Sequence, residues 1–286
     1  MPGTLFVVAT PIGNLEDLTF RARRILGEVD LIAAEDTRRT SKLLAHYEIR
    51  KPMVSLREHN EVRESPRLVA RMQAGESIAL VTDAGTPGIA DPGARLVKAA
   101  RAGGVTIVPI PGPSAVAAAM SISGAEAPEF SFYGFPPVKG TEREDWFRRL
   151  ADTPHPSVFF EAPHRIERTL SDCAFYLVKQ QIIVSRELTK INETLVISPN
   201  IGSIGPIKPI GEFVVVVIPE MDLDERRQQT EEMQREALNL FSLLFAAQGI
   251  SEDLAIELTA LKLDLTPTDA RKAIKKARIL VKQQNT

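Results

Sequence analysis

Acidic and basic side chains follow several apolar runs of this sequence, at the points where those runs end. Glu35 and Asp36 follow one run, with Arg38 and Arg39 close behind them, and Glu161 follows another. A carboxylate at such a position can act as a general base, and an arginine can bind phosphate. The same residues can also cap a helix or pair with one another, and Asp36 fits a capping position better than a catalytic one.

Further clusters have the same character. His59 and Asn60 lie in a polar loop, where they can orient a substrate hydroxyl or simply face solvent. Glu187 and Lys190 belong to the segment RELTK at the end of a later apolar run. Arg165 stands near the start of a helical pattern, where a cation opposes the helix dipole, so we expect it to serve a substrate or a nearby acid. Such residues are usually on the surface, but several clusters facing one cleft indicate a site.

The stretch LVTDAGTPGIADPG, residues 80–93, joins an apolar run to a helical pattern through a glycine-rich loop. Asp91 is predicted to be the N-cap of that helix, and Pro92 to lie in its first turn. The loop is typical of a nucleotide or S-adenosylmethionine (SAM) site, or of a tight turn without a ligand. Pro87 stiffens the backbone where phosphate loops offer N–H groups, and the chain has no Gly-Lys-Ser/Thr motif. An adenosyl or amino-acid group is therefore favoured over phosphate.

The order of the predicted elements indicates an α/β protein. Strands and helices alternate about five times over residues 1–120, which predicts a domain with a parallel sheet and helices on both faces. A second α/β domain with a mixed sheet is predicted over residues 121–220. Residues 221–286 contain helical patterns and predict a linker with a helical appendage. The last of these helices is either a phosphate-binding face or a solvated surface, and its cations are Arg271, Lys272, Lys275, Lys276, Arg278 and Lys282.

Rigid loops follow three of the predicted strands of the first domain. They lie at residues 10–14, 83–93 and 111–114, and each contains Gly and Pro. Because parallel strands place their carboxyl ends at one edge of a sheet, we expect these loops to meet there. Each loop alone is explained by turn chemistry, but three rigid loops together favour a ligand site.

Composition limits the possible classes of function. The chain has 286 residues, a net charge of −2 and a single cysteine. A nucleic-acid partner would therefore need a local basic patch, and the cysteine usage fits a reducing cytoplasm. The four histidines have no metal-ligand spacing, so no metal is expected. No signal-peptide pattern and no apolar run long enough to cross a bilayer is seen, so no membrane association is expected.

Eight segments, taken in order, resemble one known family: TPIGNLEDLT (10–19), AAEDTRRT (33–40), EHNE (58–61), DAGTPGIADPG (83–93), PIPGPSA (109–115), FYGFPP (132–137), FFEAPHRI (159–166) and RELTK (186–190). The family is the bacterial small-subunit ribosomal RNA 2′-O-methyltransferases, in the tetrapyrrole methylase superfamily, and the resemblance covers roughly residues 4–218. It implies two α/β domains with SAM in the cleft between them, and a homodimer. It also implies methylation of the ribose 2′-hydroxyl of a cytidine in the decoding centre of 16S rRNA, within the small ribosomal subunit.

The resemblance also implies roles for individual residues. The cofactor is expected to contact Pro11, Ala84, Gly85, Thr86, Ser114, Ala115, Phe160, Leu188 and Gly211. The substrate side is expected to include Asp36, Arg38, Arg39, His59, Asn60 and Arg165. A ribose hydroxyl is a weak nucleophile that benefits from a general base, and the candidates are Glu35, Glu161, Glu187 and Lys190.

Two other functions remain open at this point. A methylase acting on a tetrapyrrole would share the fold and the cofactor, although the full set of motifs fits the rRNA enzyme better. A non-catalytic RNA-binding or assembly protein is the alternative from a different class. The near-neutral charge and the lack of RNA-binding motifs count against it.

Overall fold

The computed structural model describes residues 2–177, 180–199, 204–219, 223–247, 251–263 and 265–284 of the chain. They form two compact units, Met1–Pro219 and Glu220–Thr286. The first unit holds two β-sheets with their helices, and the second is helical. Within the described residues, none of the helices combines the length and the apolar character needed to cross a membrane.

The first sheet is built by alternating strands and helices. Its elements are β1 (Thr4–Val8), α1 (Phe20–Glu28), β2 (Leu31–Ala34), α2 (Thr37–His46), β3 (Met53–Ser55), α3 (Glu61–Gln73), β4 (Ile78–Val81), α4 (Ala94–Ala102) and β5 (Thr106–Ile110). The strands run parallel in the order β3-β2-β4-β1-β5. The predicted parallel sheet is thus confirmed.

Helices cover both faces of this sheet, and strand β4 shows why its sequence is apolar throughout. Ile78 and Leu80 belong to a core with α3 and α4, whereas Ala79 and Val81 belong to a core with α1 and α2. Because successive side chains of a strand point to opposite faces, a strand covered on both sides reads as a continuous apolar run. All four residues are buried.

The second sheet is mixed. Its elements, with the helix that precedes it, are α5 (Ala115–Ser121), β6 (Ser131–Phe132), α6 (Thr141–Ala151), β7 (Ser157–Glu161), α7 (Ile166–Tyr176), β8 (Gln181–Arg186), β9 (Thr194–Ser198) and β10 (Phe213–Ile218). The strand order is β6-β7-β10-β8-β9, in which β6 and β7 are parallel and the other pairs antiparallel. The mixed sheet predicted here is confirmed.

The second sheet also has two covered faces. The core on one face joins α6 and α7 to the strands and includes Trp146, Phe159 and the only cysteine of the chain, Cys173, which is fully buried. On the other face α5 packs against β10, through Val116 and Val214 among others. Since α5 follows the last strand of the first sheet, it links the two sheets directly. The division of this unit near residue 120 stays a prediction.

The second unit consists of α8 (Leu223–Ala247), α9 (Glu252–Lys262) and α10 (Pro267–Gln284) in the described part of the chain. Its core includes Phe241 of α8, Ile256 of α9 and Ile274 of α10. Of the basic residues predicted for the last helix, Arg271 pairs with Asp253 at 2.7 Å. Lys272 lies 3.7 Å from Asp269, Lys275 and Lys276 are exposed, and the side chains of Arg278 and Lys282 fall outside the described residues.

The start of α4 corrects one expectation. Asp91 is not its N-cap, because the cap is Gly93, whose φ of 127° suits glycine. The buried carboxylate of Glu61, the first residue of α3, instead accepts hydrogen bonds from the backbone N–H groups of Gly93, Arg95 and Leu96, at 3.0, 2.8 and 3.2 Å. A carboxylate that is distant in sequence therefore takes the place that the local pattern assigned to Asp91.

Candidate active site

The three glycine-containing loops of the first sheet are hydrogen-bonded to one another. Thr10 and Gly85 exchange two backbone hydrogen bonds, each of 2.9 Å, and the Thr86 hydroxyl donates to the carbonyl of Pro113 at 3.2 Å. Gly85 has a φ of 81°, in the left-handed region that side chains with a Cβ avoid. The predicted meeting of these loops at one sheet edge is therefore observed, and direct bonds fix their positions.

The first of these loops also contacts the second sheet. The N–H of Asn14 donates to the hydroxyl of Thr189 at 3.0 Å. Gly13 packs so closely there that an added Cβ would lie 2.4 Å from Cγ of Lys190 and 2.9 Å from the carbonyl oxygen of Leu188. Glycine is needed at this position because the two backbones approach each other.

A pocket of about 320 Å³ lies where these loops face the strand ends of the second sheet. The cofactor residues predicted from the sequence that line it are Ala84, Gly85, Thr86, Ser114, Ala115, Phe160 and Leu188. Pro11 and Gly211 are outside the wall, but their neighbours Ile12 and Glu212 belong to it. Residues of both sheets thus form a single concave site.

The lining of the pocket fits a cofactor with an adenosyl group and a cationic sulfonium. Most of the wall is apolar, and the rings of Phe135 and Phe160 lie edge to face with centroids 5.6 Å apart. Small residues such as Ala84 and Ala115 leave space beside these rings. The carboxylates in the wall suit a positive charge, and they belong to Asp91, Glu161 and Glu212.

Acidic residues crowd the edge of the pocket formed by the first sheet. Oε2 of Glu35 accepts from the Thr82 hydroxyl at 2.6 Å and from the N–H of Asp83 at 3.2 Å. Burial, and then repulsion by Glu35, raise the pKa of Asp83. The same two causes, in the same order, raise the pKa of Asp91 to about 6. These carboxylates therefore hold protons more readily than ordinary surface acids.

Asp36 has the opposite environment, although it adjoins Glu35. Its carboxylate caps α2 through the N–H of Arg38 at 2.8 Å, so the predicted cap is confirmed. It also pairs with the Arg38 guanidinium at 2.7 Å and lies 3.7 Å from Arg57. The hydrogen bond from Arg38 holds the pKa of Asp36 well below its usual range. Arg39 lies 3.5 Å from Asp83 and is mostly exposed.

The neighbouring loop contains the predicted substrate residues His59 and Asn60. Asn60 stabilises its own turn, since its Oδ1 accepts from the N–H of Arg57 at 2.8 Å and its Nδ2 donates to the carbonyl of Ser55 at 3.1 Å. His59 is exposed. The turn therefore presents His59 to solvent beside the arginines at this edge.

Glu161 lines the pocket from the second sheet, but donors already occupy its carboxylate. The side chain has no exposed area and accepts from the N–H of Ala162 at 2.7 Å and from the Thr169 hydroxyl at 2.5 Å. The Arg165 guanidinium lies 3.2 Å from Oε1 and also donates to the carbonyl of Pro136. Arg165 therefore serves a nearby acid, one of the two roles expected for it.

Glu187 and Lys190 form an ion-paired turn beside the pocket. Nζ of Lys190 lies 2.8 Å from Glu187 and 3.0 Å from Glu212. Burial opposes both charges, but the hydrogen bonds prevail, so the pKa of Glu187 is lowered and the pKa of Lys190 is raised. Gly211, with a φ of 90°, lies against Glu187, and an added Cβ would come within 2.5 Å of that side chain.

The structure brings into this region several residues that the sequence did not assign to chemistry. Asp91 and Glu212 line the pocket, Thr82 hydrogen-bonds Glu35, and Glu61 holds the loop that carries Asp91. Asp91 was visible in the ADPG motif, but the capping rule gave it a local structural role. Among the described residues no group of three His, Cys, Asp or Glu side chains is arranged to hold a metal ion.

Comparison with known proteins agrees with this geometry. The model of the family "Tetrapyrrole (Corrin/Porphyrin) Methylases" matches residues 4–204. A protein of Xylella fastidiosa (strain Temecula1) named "Ribosomal RNA small subunit methyltransferase I" is 47% identical over 233 residues, which cover 78% of this chain and 84% of that protein. A protein of Pasteurella multocida with the same name is 40% identical and covers 90% and 92% of the two chains.

A solved structure has the same fold. The native uroporphyrin III C-methyltransferase of Thermus thermophilus superposes with a TM-score of 0.54 at 18% identity, covering 76% of this chain and 98% of that one. The chain therefore belongs to the tetrapyrrole methylase family, in the group that shares the name ribosomal RNA small subunit methyltransferase I. Members of this family are SAM-dependent methyltransferases, so this chain is an enzyme with SAM as methyl donor.

Proposed function

We propose that this enzyme methylates the ribose 2′-hydroxyl of a cytidine in the decoding centre of 16S rRNA. Relatives that share 40–47% identity over most of the chain have names that specify small-subunit ribosomal RNA. The observation that carries the proposal is the pocket itself, because its walls come from the motifs of residues 83–93, 109–115, 159–166 and 186–190. These motifs lie far apart in sequence and meet at one site.

SAM supplies an electrophilic methyl group when it is bound. We assign its contacts to the seven predicted cofactor residues that line the pocket, with Pro11 and Gly211 acting through their neighbours. The bonded loops fix the wall, and a fixed wall aligns donor and acceptor without a reactive side chain. The apolar residues around Phe160 exclude water from the reacting atoms.

The acceptor is proposed to approach across the charged edge of the first sheet. Arg38, Arg39 and Arg57 are clustered there, and each guanidinium can bind phosphate oxygens in a bidentate manner. The exposed His59 lies in the adjacent loop. We propose that Arg38, Arg39, His59 and Asp36 contact the RNA, whereas Asn60 and Arg165 position the neighbouring backbone.

The four candidates for a general base differ in their surroundings. Glu161 and Glu187 are both paired with a cation, and the raised pKa of Lys190 keeps its ammonium protonated. The carboxylate of Glu35 forms no ion pair among the described residues. The acidic residues at the edge of the first sheet are therefore better suited to take the proton of the ribose hydroxyl.

Incubation of the purified enzyme with methyl-labelled SAM and small ribosomal subunits from a strain that lacks this enzyme tests the proposal. We expect one 2′-O-methylcytidine in the decoding centre, mapped by nuclease digestion and mass spectrometry. Free 16S rRNA in a parallel reaction shows whether the assembled subunit is required. Label on a base, label at another rRNA site, or transfer only to a porphyrinogen added in its place would contradict the proposal.

The homodimeric state and the cytoplasmic location belong to the same proposal. Sedimentation equilibrium of the full chain should give twice the mass of 31.4 kDa. Fractionation of cells should place the enzyme with the ribosomal subunits rather than with the membranes. A monomer in solution, or recovery in the membrane fraction, would exclude the corresponding part.

A further inference from the structure

Three carboxylates line the pocket, and two of them are neutralised. Glu161 accepts hydrogen bonds from Thr169 and a backbone N–H and forms an ion pair with Arg165. Glu212 pairs with Lys190 at 3.0 Å, and most of its side chain is exposed. A carboxylate held by a cation is a poor proton acceptor, because protonation would break the ion pair. Neither residue is therefore well suited to remove a proton from an acceptor.

Asp91 is the third carboxylate, and no ion pair holds it within the described part of the chain. The nearby hydroxyl of Thr82 lowers the pKa of Asp91, but it donates its hydrogen bond to Glu35 at 2.6 Å. A hydroxyl has a single proton to donate, so it cannot satisfy both carboxylates at the same time. While Thr82 donates to Glu35, the carboxylate of Asp91 keeps an unused acceptor position in the wall of the pocket.

The backbone around Asp91 fixes this arrangement. Gly88 and Ala90 have φ values of 80° and 62°, and Gly93 has 127°. Ala90 is an unusual residue for this conformation, which residues with a Cβ rarely adopt. The three hydrogen bonds to Glu61 hold the end of the turn in place. Asp91 is thus presented to the pocket by a rigid turn.

We propose that Asp91 is the general base that removes the proton from the acceptor hydroxyl. The inference rests on the proposed function, since it needs a hydroxyl acceptor. The ribose oxygen forms a bond to the methyl carbon, and the carbon–sulfur bond breaks with its electron pair remaining on sulfur. The hydroxyl proton passes to the Asp91 carboxylate and then to solvent, so charge and atoms balance.

The surroundings of Asp91 support this role. The charged groups that face it are the acids Glu35, Asp83 and Glu212, and together with burial they raise its pKa to about 6. A carboxylate with that pKa is ionised at neutral pH and is a stronger base than an ordinary aspartate.

Single-turnover methyl transfer as a function of pH tests the assignment. The chain with Asp91→Asn is compared with the wild type, with Glu35→Gln, and with the surface control Asp145→Asn, all with saturating SAM and small subunits. We expect Asp91→Asn to lower the transfer rate by about 100-fold or more, the usual contribution of a general base. SAM affinity by calorimetry should fall far less than the rate, and the unfolding midpoint at neutral pH should be no lower than that of the wild type.

The pH profile separates a base from a merely structural residue. The wild-type rate should rise with pH to a plateau, with an inflection at or below about 6, because the cationic donor favours the ionised carboxylate. Glu35→Gln should move that inflection to lower pH, since it removes the neighbouring charge. Asp91→Asn should lose the inflection, and the control Asp145→Asn should match the wild type.

Each contrary result overturns the assignment. An Asp91→Asn enzyme that keeps the wild-type rate is not missing its base, and one that loses SAM affinity has lost a cofactor contact instead. If Asp91→Asn does not fold, the wild-type pH profile decides. A profile without an inflection, or an inflection that Glu35→Gln abolishes, excludes Asp91 as the general base. Mass spectrometry of the wild-type product is read separately: a product other than 2′-O-methylcytidine refutes the proposed function, whatever Asp91 does.

Discussion

Glu161 and Asp91 are carboxylates of the same pocket, contributed by different sheets, and their surroundings are opposite. Glu161 has no exposed side-chain area, two hydrogen-bond donors and an ion pair with the guanidinium of Arg165. Asp91 faces other acids, lies near a hydroxyl that donates to Glu35, and has a raised pKa. Glu161 is the last residue of β7, whereas Asp91 lies in the loop between β4 and α4.

The supply of donors, rather than the residue type, therefore decides what a carboxylate of this pocket does. Glu161, which is hydrogen-bonded and paired, fixes the backbone of the pocket wall that the second sheet contributes. Through its ion pair with Arg165 it also fixes the loop that carries Pro136. With few donors, Asp91 retains the capacity to accept a proton. Glu161 thus holds the wall from the second sheet in place, whereas Asp91 in the wall from the first sheet takes part in the reaction.

Blocking the space between the two walls should have the largest effect. Gly85→Phe introduces a bulky side chain at a lining position whose φ is 81°, so both space and backbone oppose it. We expect SAM binding to fall below detection by calorimetry. Gly27→Phe, at a position with no atom near an added Cβ, is the matched control. Unchanged SAM affinity in Gly85→Phe would place the cofactor elsewhere.

Glu161→Gln should cost the most stability. It leaves the mostly buried Arg165 without its counter-ion, and breaking a buried pair from one side costs about 3 kcal/mol or more. Urea denaturation measures the loss. Glu144→Gln is the control, because Glu144 pairs with Arg148 at an exposed site and should change the unfolding free energy by less than about 1 kcal/mol. Equal losses in the two variants would contradict the distinction between the walls.

Glu61→Ala should have an intermediate effect on stability and reach the pocket indirectly. It leaves three N–H groups at the start of α4 without their acceptor, at a cost of about 2 kcal/mol. The turn from Gly88 to Gly93 then loses its anchor, so we expect the methyl-transfer rate to fall as well. Glu61→Gln, which keeps an acceptor oxygen, should restore part of both. A stable, fully active Glu61→Ala variant would show that the turn holds itself.

Asp91→Asn should give the smallest change in the free energy of unfolding, and this change should be an increase. The pKa of Asp91 is raised to about 6 in the fold, so the folded chain binds its proton more tightly than the unfolded chain does. Stability from this group is present at low pH and is lost as pH rises from about 4 to about 6. Because the side chain is partly exposed, the loss at neutral pH is on the order of 1 kcal/mol.

The asparagine variant avoids that loss. Its unfolding free energy should exceed that of the wild type at about pH 7 and approach it near about pH 4. Urea titrations at both pH values measure the difference. A variant that is less stable at neutral pH would show that Asp91 is held by donors as Glu161 is. The comparison between the two walls would then fail.

The sequence predicts most of the first sheet and much of the pocket, because both follow from local signals. Alternating strands and helices require parallel strands, and parallel strands bring Thr10, Gly85 and Ser114 to one edge. Asp36 caps its helix by accepting from the N–H of Arg38, two residues later, and such a local contact can be predicted from the sequence. These features need no knowledge of distant contacts.

The functions of the individual acids could not be predicted in this way, since each depends on a partner elsewhere in the chain. Asp91 looked like a helix cap, but Glu61, some thirty residues earlier, occupies those N–H groups. Glu187 depends on Gly211 and Glu212, which only the antiparallel pairing of β8 and β10 brings near. The insertion of β10 between β7 and β8 is likewise a long-range pairing without a local signal.

The buried Cys173 of α7 gives the molecule an internal reporter. Burial raises the pKa of its thiol far above the ordinary value, and the thiolate is the form that reacts. As the chain has one cysteine, a disulfide reagent can modify it only after the layer of α6 and α7 opens. The rate of thiol modification therefore measures how often the layer of α6 and α7 opens, without any label or substitution, and added SAM should slow it.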